Sequence, residues 1–553
     1  MTVTEWHFAD VWDEISRHQP NEVALVQGDR RRTWSEFRAH AHSLARQFSS
    51  LGIAAGETIA QYMTNSIEYL ETVYACFAGS FAPVNTNYRY IADELCYLWQ
   101  DSGVAAVVFH GKFTETIEAL RAEVANVRLW VWVNDNTSPC PNWAVAYDTL
   151  IHNELSDDHD SWLPSEIVNR RRGDDLYLLY TGGTTGKPKG VMWRQDDLFC
   201  VLNRGGALKY DESAGVAGVR PALEEFDRNE TDKGRPCTLP AAPLMHGTAA
   251  FASFGALNSG GSVVMTEDPK FAADRLLDAI EKNRVTDIAI VGDAFARPIL
   301  TALDAEPQRW DISSLRIILS SGGMWSLPIK EGLLRHNQNI LCVDTLGSSE
   351  AVGLARSITS TKRKTQTADF ALGPHSAVIR EDGMPVEPGE IGLVAIAGRG
   401  PIGYYNDPEK SARTFRVIDG VRWTTPGDFA QVRSDGSVQL LGRGSSCINT
   451  GGEKVFPEEV EEALKECEGV VDAVVVGAPH ERFGQQIVAF VVADPAFELS
   501  ATEVQNACRT KLADYKVPRH LSLVPSLDRA VNGKIDQARW KNEAERLAER
   551  NDQ

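Results

Sequence analysis

Thr181-Gly182-Gly183-Thr184-Thr185-Gly186-Lys187-Pro188-Lys189-Gly190 packs four glycines, three threonines and two lysines into ten residues, directly after the apolar run Leu176-Tyr177-Leu178-Leu179-Tyr180. Glycine backbones reach positive φ and approach a ligand closely, so successive amide N–H groups can converge on anionic oxygens while hydroxyls add donors. The lysines supply countercharge. A strand running into such a loop predicts a phosphate cradle. A Walker A loop would need glycine at 181 and a hydroxyl residue at 188, where Thr181 and Pro188 stand, so a phosphotransferase P-loop is disfavoured. A polar linker between strands is the plainer alternative.

The chain around this stretch has 553 residues, 43% hydrophobic and 24% charged, enough for two or more domains with large cores. A net charge of −20 argues against a nucleic-acid partner, which calls for clustered Lys and Arg. Any bound polyphosphate must find its cations locally. The first ten residues carry Glu5 and Asp10 without an apolar core, and no run reaches about 18 apolar residues, so neither a secretory signal nor a transmembrane segment is expected. Nine cysteines without a C-x-x-C pair fit a reducing compartment and a cytoplasmic location.

Thr33 and Glu36 form a capping box ahead of Phe37, Ala41, Leu44, Phe48 and Leu51, with Gly52 as the stop, which predicts an amphipathic helix. Apolar runs at Glu57–Met63, Val104–Phe109 and Leu129–Val133 alternate with helical patterns, as in βαβ units, and the alternation resumes from Gly260 to Ser320. From 379 to 442, turn signals such as Asp382-Gly383 and Asp435-Gly436 predict a β-rich subdomain. Beyond a hinge candidate at 443–446, Pro457 should open a helix in which Glu461 pairs with Lys465. Strands at Val470–Val476 and Gln486–Ala493 and a helix near Ala501–Ala513 follow, and the charged tail after Trp540 reads as a frayed surface helix. The fold class is therefore α/β. A large N-terminal domain of residues 1–444 holds βαβ-built sheets flanked by helices plus the β-rich subdomain, and residues 445–553 form a small mobile α+β domain.

Taken in order, the 181–190 loop, Pro243-Leu244-Met245-His246-Gly247, Leu346-Gly347-Ser348-Ser349-Glu350, Thr425-Pro426-Gly427-Asp428, Gly442-Arg443 and Asn532-Gly533-Lys534-Ile535 resemble the acyl-adenylate-forming superfamily. The wording of Gly190-Val191-Met192-Trp193-Arg194 and of Asn449-Thr450-Gly451-Gly452-Glu453-Lys454 is most similar to bacterial fatty-acyl-CoA synthetases, including those for steroid side-chain acids. The resemblance implies ATP, Mg²⁺ and CoA as cofactor and co-substrates, a hydrophobic carboxylic acid as substrate, and a possible homodimer.

It further implies roles. Thr181, Gly182, Gly183, Thr184, Thr185, Gly186 and Lys189 would hold the β- and γ-phosphates, with Thr185 also catalytic. Glu350, with Thr181, would bind Mg²⁺, a hard cation suited to one or two carboxylates plus phosphate oxygens. Gly323, Asp344, Thr345, Leu346, Gly347, Ser348 and Ser349 would face the nucleotide, and Asp428 and Arg443 its ribose. His246 would gate the carboxylate. Lys534 would bridge the carboxylate oxygen and the α-phosphate, neutralising both as the bond forms. Gly451, Gly452 and Lys454 belong to the loop that admits the thiol once the small domain has rotated. Each residue has a plainer alternative: a capping glutamate for Glu350, a turn aspartate for Asp428, a solvated lysine for Lys534.

The sequence departs from the common pattern at Leu346, where many members have an aromatic over adenine, and at Ser349, Ser445 and Asn449. Thr248–Leu257 and Gly292–Ala296 fall in the regions that line the acyl pocket in this family. Their small residues suit either a roomy pocket or close helix packing. The acidic stretch Tyr210–Arg235 reads as a mobile loop near the acyl entrance. Loading of a separate carrier protein and a nucleotide-binding regulator without turnover remain the alternatives to CoA ligation.

Overall fold

The computed structural model describes residues 5–151, 163–181, 187–229, 234–268, 270–323, 325, 327–365, 369–443, 448–455, 457–465, 467–528 and 537–551. The expected capping box opens a helix at Trp34–Ser50, where Thr33 Oγ1 accepts from Glu36 N at 3.2 Å and Glu36 Oε2 accepts from Thr33 N at 2.7 Å. Gly52 takes positive φ just past its end, and Leu51, expected on the apolar stripe, is left exposed.

Among the described residues the strands form three sheets. One has antiparallel Arg30–Thr33 at its edge and then six parallel neighbours, Val23–Gln27, Ser262–Met265, Cys237–Pro240, Asp287–Ile290, Ile317–Ser321 and Leu341–Leu346. It continues through antiparallel Ala355–Thr359 and Asp369–Leu372 into the expected β-rich region, so that region is hydrogen-bonded to the large sheet. A second sheet holds the three predicted early strands together with Leu176–Thr181 and Lys189–Arg194, the two arms of the hairpin that carries the glycine-rich loop.

The third sheet belongs to the smaller C-terminal domain. Its strands Val470–His480 and Gly484–Ala493 pair antiparallel and alternate beyond an irregularity between Val470 and Asp472. Ala473, Val475, Ile487 and Ala489 join one apolar cluster while Val474, Val476, Val488 and Phe490 join another, as a period of two requires. The first cluster is covered by the helices Pro457–Lys465 and Ala501–Arg509. The second is covered by the tail helix Gln537–Asn551, through buried Trp540, Ala544 and Ala548. The tail therefore packs on the sheet rather than fraying, because its three apolar residues fall at i, i+4 and i+8 on one helical face. Glu461 also differs from expectation. Its carboxylate accepts from Val475 N at 2.9 Å, while Lys465 reaches Asp472 at 3.6 Å. The hinge residues Gly444, Ser445 and Ser446 lie outside the described residues, as does Cys447.

The N-terminal core is tied by a buried polar knot. Asp13 accepts from His42 at 2.8 Å, Arg38 at 3.1 Å, Tyr74 at 2.6 Å and Arg171 at 2.8 Å, joining three helices to residue 171. Burial works to raise the Asp13 pKa, but the charges and hydrogen bonds of His42, Arg171 and Arg38 hold it well below the usual carboxylate range. Its stabilisation is thus fully present above about pH 4 and is lost as the solution is acidified toward the depressed value. Asp13→Ala, which strands these buried donors, should lower unfolding free energy by about 3–5 kcal/mol in denaturant titrations at neutral pH.

Candidate active site

A continuous cavity of about 1300 Å³ lies between the parallel strands and the helix Gly247–Asn258. The strands contribute alternate residues, Ala289 and Val291, Leu319 and Ser321, Val343 and Thr345. The helix contributes Thr248, Phe251, Ala252, Gly255 and Ala256, one stripe at three-and-four spacing. Its other face buries Ala249, Ala250, Phe254 and Leu257 in the core. Both sequence-level readings of the small residues hold, divided between two faces of one helix. A Cβ added at Gly255 would meet nothing within 4 Å, so the glycine widens the cavity. The second candidate segment, Gly292–Ala296, is not among the residues lining the cavity: Val291 just before it is, whereas Phe295 stacks edge-on against Phe271 and Ala296 enters the core.

His246 sits at the mouth, in the position preceding this helix. Its neighbours are fixed by Asn85, whose amide donates to Tyr180 O at 2.8 Å and to Met245 O at 2.7 Å. Thr181, the last described residue before the glycine-rich loop, therefore opens onto the same cavity as His246. Gly182, Gly183, Thr184, Thr185 and Gly186 lie outside the described residues, as does Lys534. Lys189 forms an ion pair with Asp407. Burial tends to raise the Asp407 carboxyl, and the hydrogen bond from Lys189 leads the effects that bring it below its usual value.

Two staples join the hairpin to the segment that follows the strand Leu341–Leu346. Trp193 Nε1 donates to Ser349 O at 2.9 Å. Tyr404, in register with Val191 of the hairpin, donates its hydroxyl to Glu350 Oε1 at 2.8 Å. Glu350 is buried here, and Thr345, Gly347, Ser348 and Ser349 line the cavity. Asp344 and Leu346 point to the opposite face of their strand, as alternation demands. Leu346 packs with Ala351 and Leu354, and Asp344 lies 3.4 Å from buried Lys330. Burial pushes the Asp344 carboxyl up to about 6 against the opposing charge of Lys330. Gly323 sits under Val291, next to Gly322 of the cavity wall. Asp428 is buried opposite Arg443, on a strand entered from Thr424, the partner of cavity-lining Ile396.

The smaller domain closes the mouth. Glu453 Oε1 accepts from Arg89 at 2.9 Å and from His246 at 3.0 Å. Burial opposes ionisation of Glu453, but His246 and then Arg89 hold its carboxyl below the usual value. Gly452 takes φ +87°, and a Cβ there would stand 2.8 Å from Val291 Cγ1. Gly451 has φ +58° beside Phe483, and Lys454 continues the loop into the strand Glu453–Val455. Lys516 seals the same interface with a 2.7 Å pair to Glu94, and Asn87 donates to Tyr515 at 3.4 Å. Sequence reading overlooked Asn85, Arg89, Tyr404 and Glu453 as functional candidates. Glu453 carried a legible signal, a charge beside the paired glycines; the others carried none.

A family model described as AMP-binding enzyme matches residues 12–405, and one described as AMP-binding enzyme C-terminal domain matches residues 459–534. The chain belongs to the AMP-binding enzyme family. It is similar to the 3-oxocholest-4-en-26-oate–CoA ligase of Rhodococcus rhodochrous, with 35% identity over 97% of this chain and 95% of that one. It is equally similar, at 35% over 97% and 96%, to the medium/long-chain-fatty-acid–CoA/3-oxocholest-4-en-26-oate–CoA ligase of Mycobacterium tuberculosis strain ATCC 25618 / H37Rv. In fold it is similar to the amide bond synthetase McbA of Marinactinospora thermotolerans, with TM-score 0.77, 22% identity and coverage of 97% and 99%.

Removing the carboxylate that joins the domains should loosen the closed mouth. In Glu453→Ala, hydrogen exchange measured over residues 449–455 should quicken by about tenfold or more, the effect of losing a charge-assisted hydrogen-bond pair.

Proposed function

We infer that the chain is an AMP-forming acyl-CoA ligase for a hydrophobic carboxylic acid. The acid's oxygen attacks the α-phosphorus of ATP and pyrophosphate leaves; the CoA thiol then attacks the acyl carbonyl and AMP leaves. One observation carries the reading. Thr181 at the root of the phosphate loop, His246, Thr345, Gly347, Ser348, Ser349 and the thiol-loop residue Gly452 line a single cavity.

Each group suits a task. Hydroxyl and backbone donors at Thr181, Ser348 and Ser349 can hold phosphate oxygens. Glu350 presents one buried carboxylate beside them, which fits the preference of Mg²⁺ for few protein oxygens, with Thr181 as a further oxygen. The bound ion would neutralise polyphosphate charge. Lys534 would cancel charge between the acid and the α-phosphate, and the smaller domain, taken as residues 445–553, would bring it in by rotation about the hinge. Among the described residues Gly452 lines the mouth, which supports a thiol-transfer orientation, and the relatives' names support CoA as acceptor.

An acid of the long-chain or steroid side-chain kind fits a cavity of this size, and the names of the relatives point the same way. No helix among the described residues is long and apolar enough to cross a membrane. A cytoplasmic location and a homodimer belong to the same reading. The location is supported by eight described cysteines that are all free, the dimer by family resemblance alone.

The two half-reactions should separate by mutation. Lys534→Ala should slow acid-dependent pyrophosphate release by about 10²-fold, the scale of losing one oxyanion-type donor, while still passing preformed acyl-AMP to CoA. Gly452→Ala should keep pyrophosphate exchange and lose thioester formation by roughly tenfold or more, since the side chain strains a left-handed residue and meets Val291. Exchange with no acid, in a panel of short, long and steroidal ones, would refute the ligase reading.

A further inference from the structure

We propose that Asp287 and Arg316 form a distal subsite for a neutral oxygen function, a ketone or hydroxyl, at the end of the acid remote from its carboxylate. The proposal rests on the acyl-CoA ligase reading and adds to it the chemistry of the far end.

The cavity has a direction. In the unit Cys237–Pro240, Gly247–Asn258, Ser262–Met265 the helix returns between two parallel strands, so it runs antiparallel to them. The start of the helix, next to His246, therefore lies at the carboxyl ends of the strands, where Gly452 rests on Val291. Its last turns lie over the strand beginnings. Asp287 is four residues before Val291, about 13 Å along an extended strand. Thr248 to Ala256 spans eight residues of helix, about 12 Å. The two walls thus agree on the length of the cavity beyond its mouth.

Between those ends the wall is apolar, built from Ala252, Gly255, Ala289, Leu319 and Val343. At the far end charge returns. Asp287 lines the cavity in register with Ile317 on one side and Thr238 on the other, both also on its wall. Its Oδ2 accepts from the Thr286 hydroxyl, and Arg316, whose charge acts on the Asp287 carboxyl, is among the residues at the same end. Burial pushes the Asp287 carboxyl up, opposed by the Thr286 hydrogen bond and the Arg316 charge. Arg204, 3.9 Å from Glu212, borders the cavity from the segment after the helix Gln195–Asn203.

A fatty acid ending in a methyl group would press against these polar groups and return no hydrogen bond for the water it displaces. A ketone oxygen can accept from Arg316, and a hydroxyl can donate to Asp287 as well. The spacing suits a rigid ring skeleton or a long chain whose oxygen lies about 13 Å beyond the mouth residue Val291.

The test compares matched acids in an adenylation assay. An ω-hydroxy fatty acid is set against the unsubstituted acid of equal length, and a steroid side-chain acid with a ring ketone against its deoxy counterpart. The expected result is a kcat/KM ratio of about ten in favour of the oxygenated member, on the scale of one net hydrogen bond. That ratio should collapse to near one in Arg316→Ala for both pairs and fall in Asp287→Ala for the hydroxy pair, with thermal melting confirming that both variants are folded. Ratios near one in the unmodified enzyme, or a preference that survives both substitutions, would overturn the subsite while leaving the ligase function standing. A stronger preference for the dicarboxylic acid of the same length, insensitive to Asp287→Ala, would also overturn it, by assigning the site to an anion. Failure to adenylate any acid would sink the ligase reading itself, and the subsite with it.

Discussion

A carboxylate taken out of water must be met by cations, and the placement of the smaller domain answers to that rule at Glu453. The side chain is buried at the mouth of the cavity because Arg89 and His246 both reach it from the larger domain. Withdraw the loop and the carboxylate returns to solvent, leaving the histidine free to meet another anion. These contacts, with the Lys516–Glu94 pair beside them, couple the position of the loop to the mouth. The coupling is local, because Gly452 can lie on Val291 only without a side chain.

Behind that mouth, the cavity owes its space to how one helix divides its residues. Helix Gly247–Asn258 is apolar nearly all round, so its composition does not say which face is packed and which is open. The sheet decides. Strand residues of one parity fill the core with Ile318 and Cys342, while those of the other parity leave room opposite Gly255. The same parity turns Asp344 away from the cavity toward Lys330 while Thr345 faces inward.

Much of the fold was legible in local chemistry. The capping box at Thr33 and Glu36, the proline start at Pro457 and the apolar runs that became strands all report short-range rules, and each appears where expected. The errors arose where long-range packing overrode a local signal. The tail helix looked frayed by its charges until Trp540, Ala544 and Ala548 found the second face of the C-terminal sheet. Tyr210–Arg235 looked like a loop, yet it contains the helix Val219–Arg228, anchored by Val219 and Leu223 in the core. The most telling catalytic candidates, Lys534 and the centre of the phosphate loop, lie outside the described residues, so their roles rest on motif and chemistry.

By itself the sequence determined the class of chemistry, since glycine-rich phosphate loops and ordered motifs are properties of neighbouring residues and survive without knowledge of distance. It also determined most elements, since caps, turns and periodicities act within a few residues. Only tertiary structure decided which of those residues share a cavity, that Asn85, Arg89 and Tyr404 serve it, and that Asp287 and Arg316 stand at its far end. Those facts depend on strand register and on the pairing of buried charges, interactions between residues up to hundreds of positions apart that no local pattern encodes.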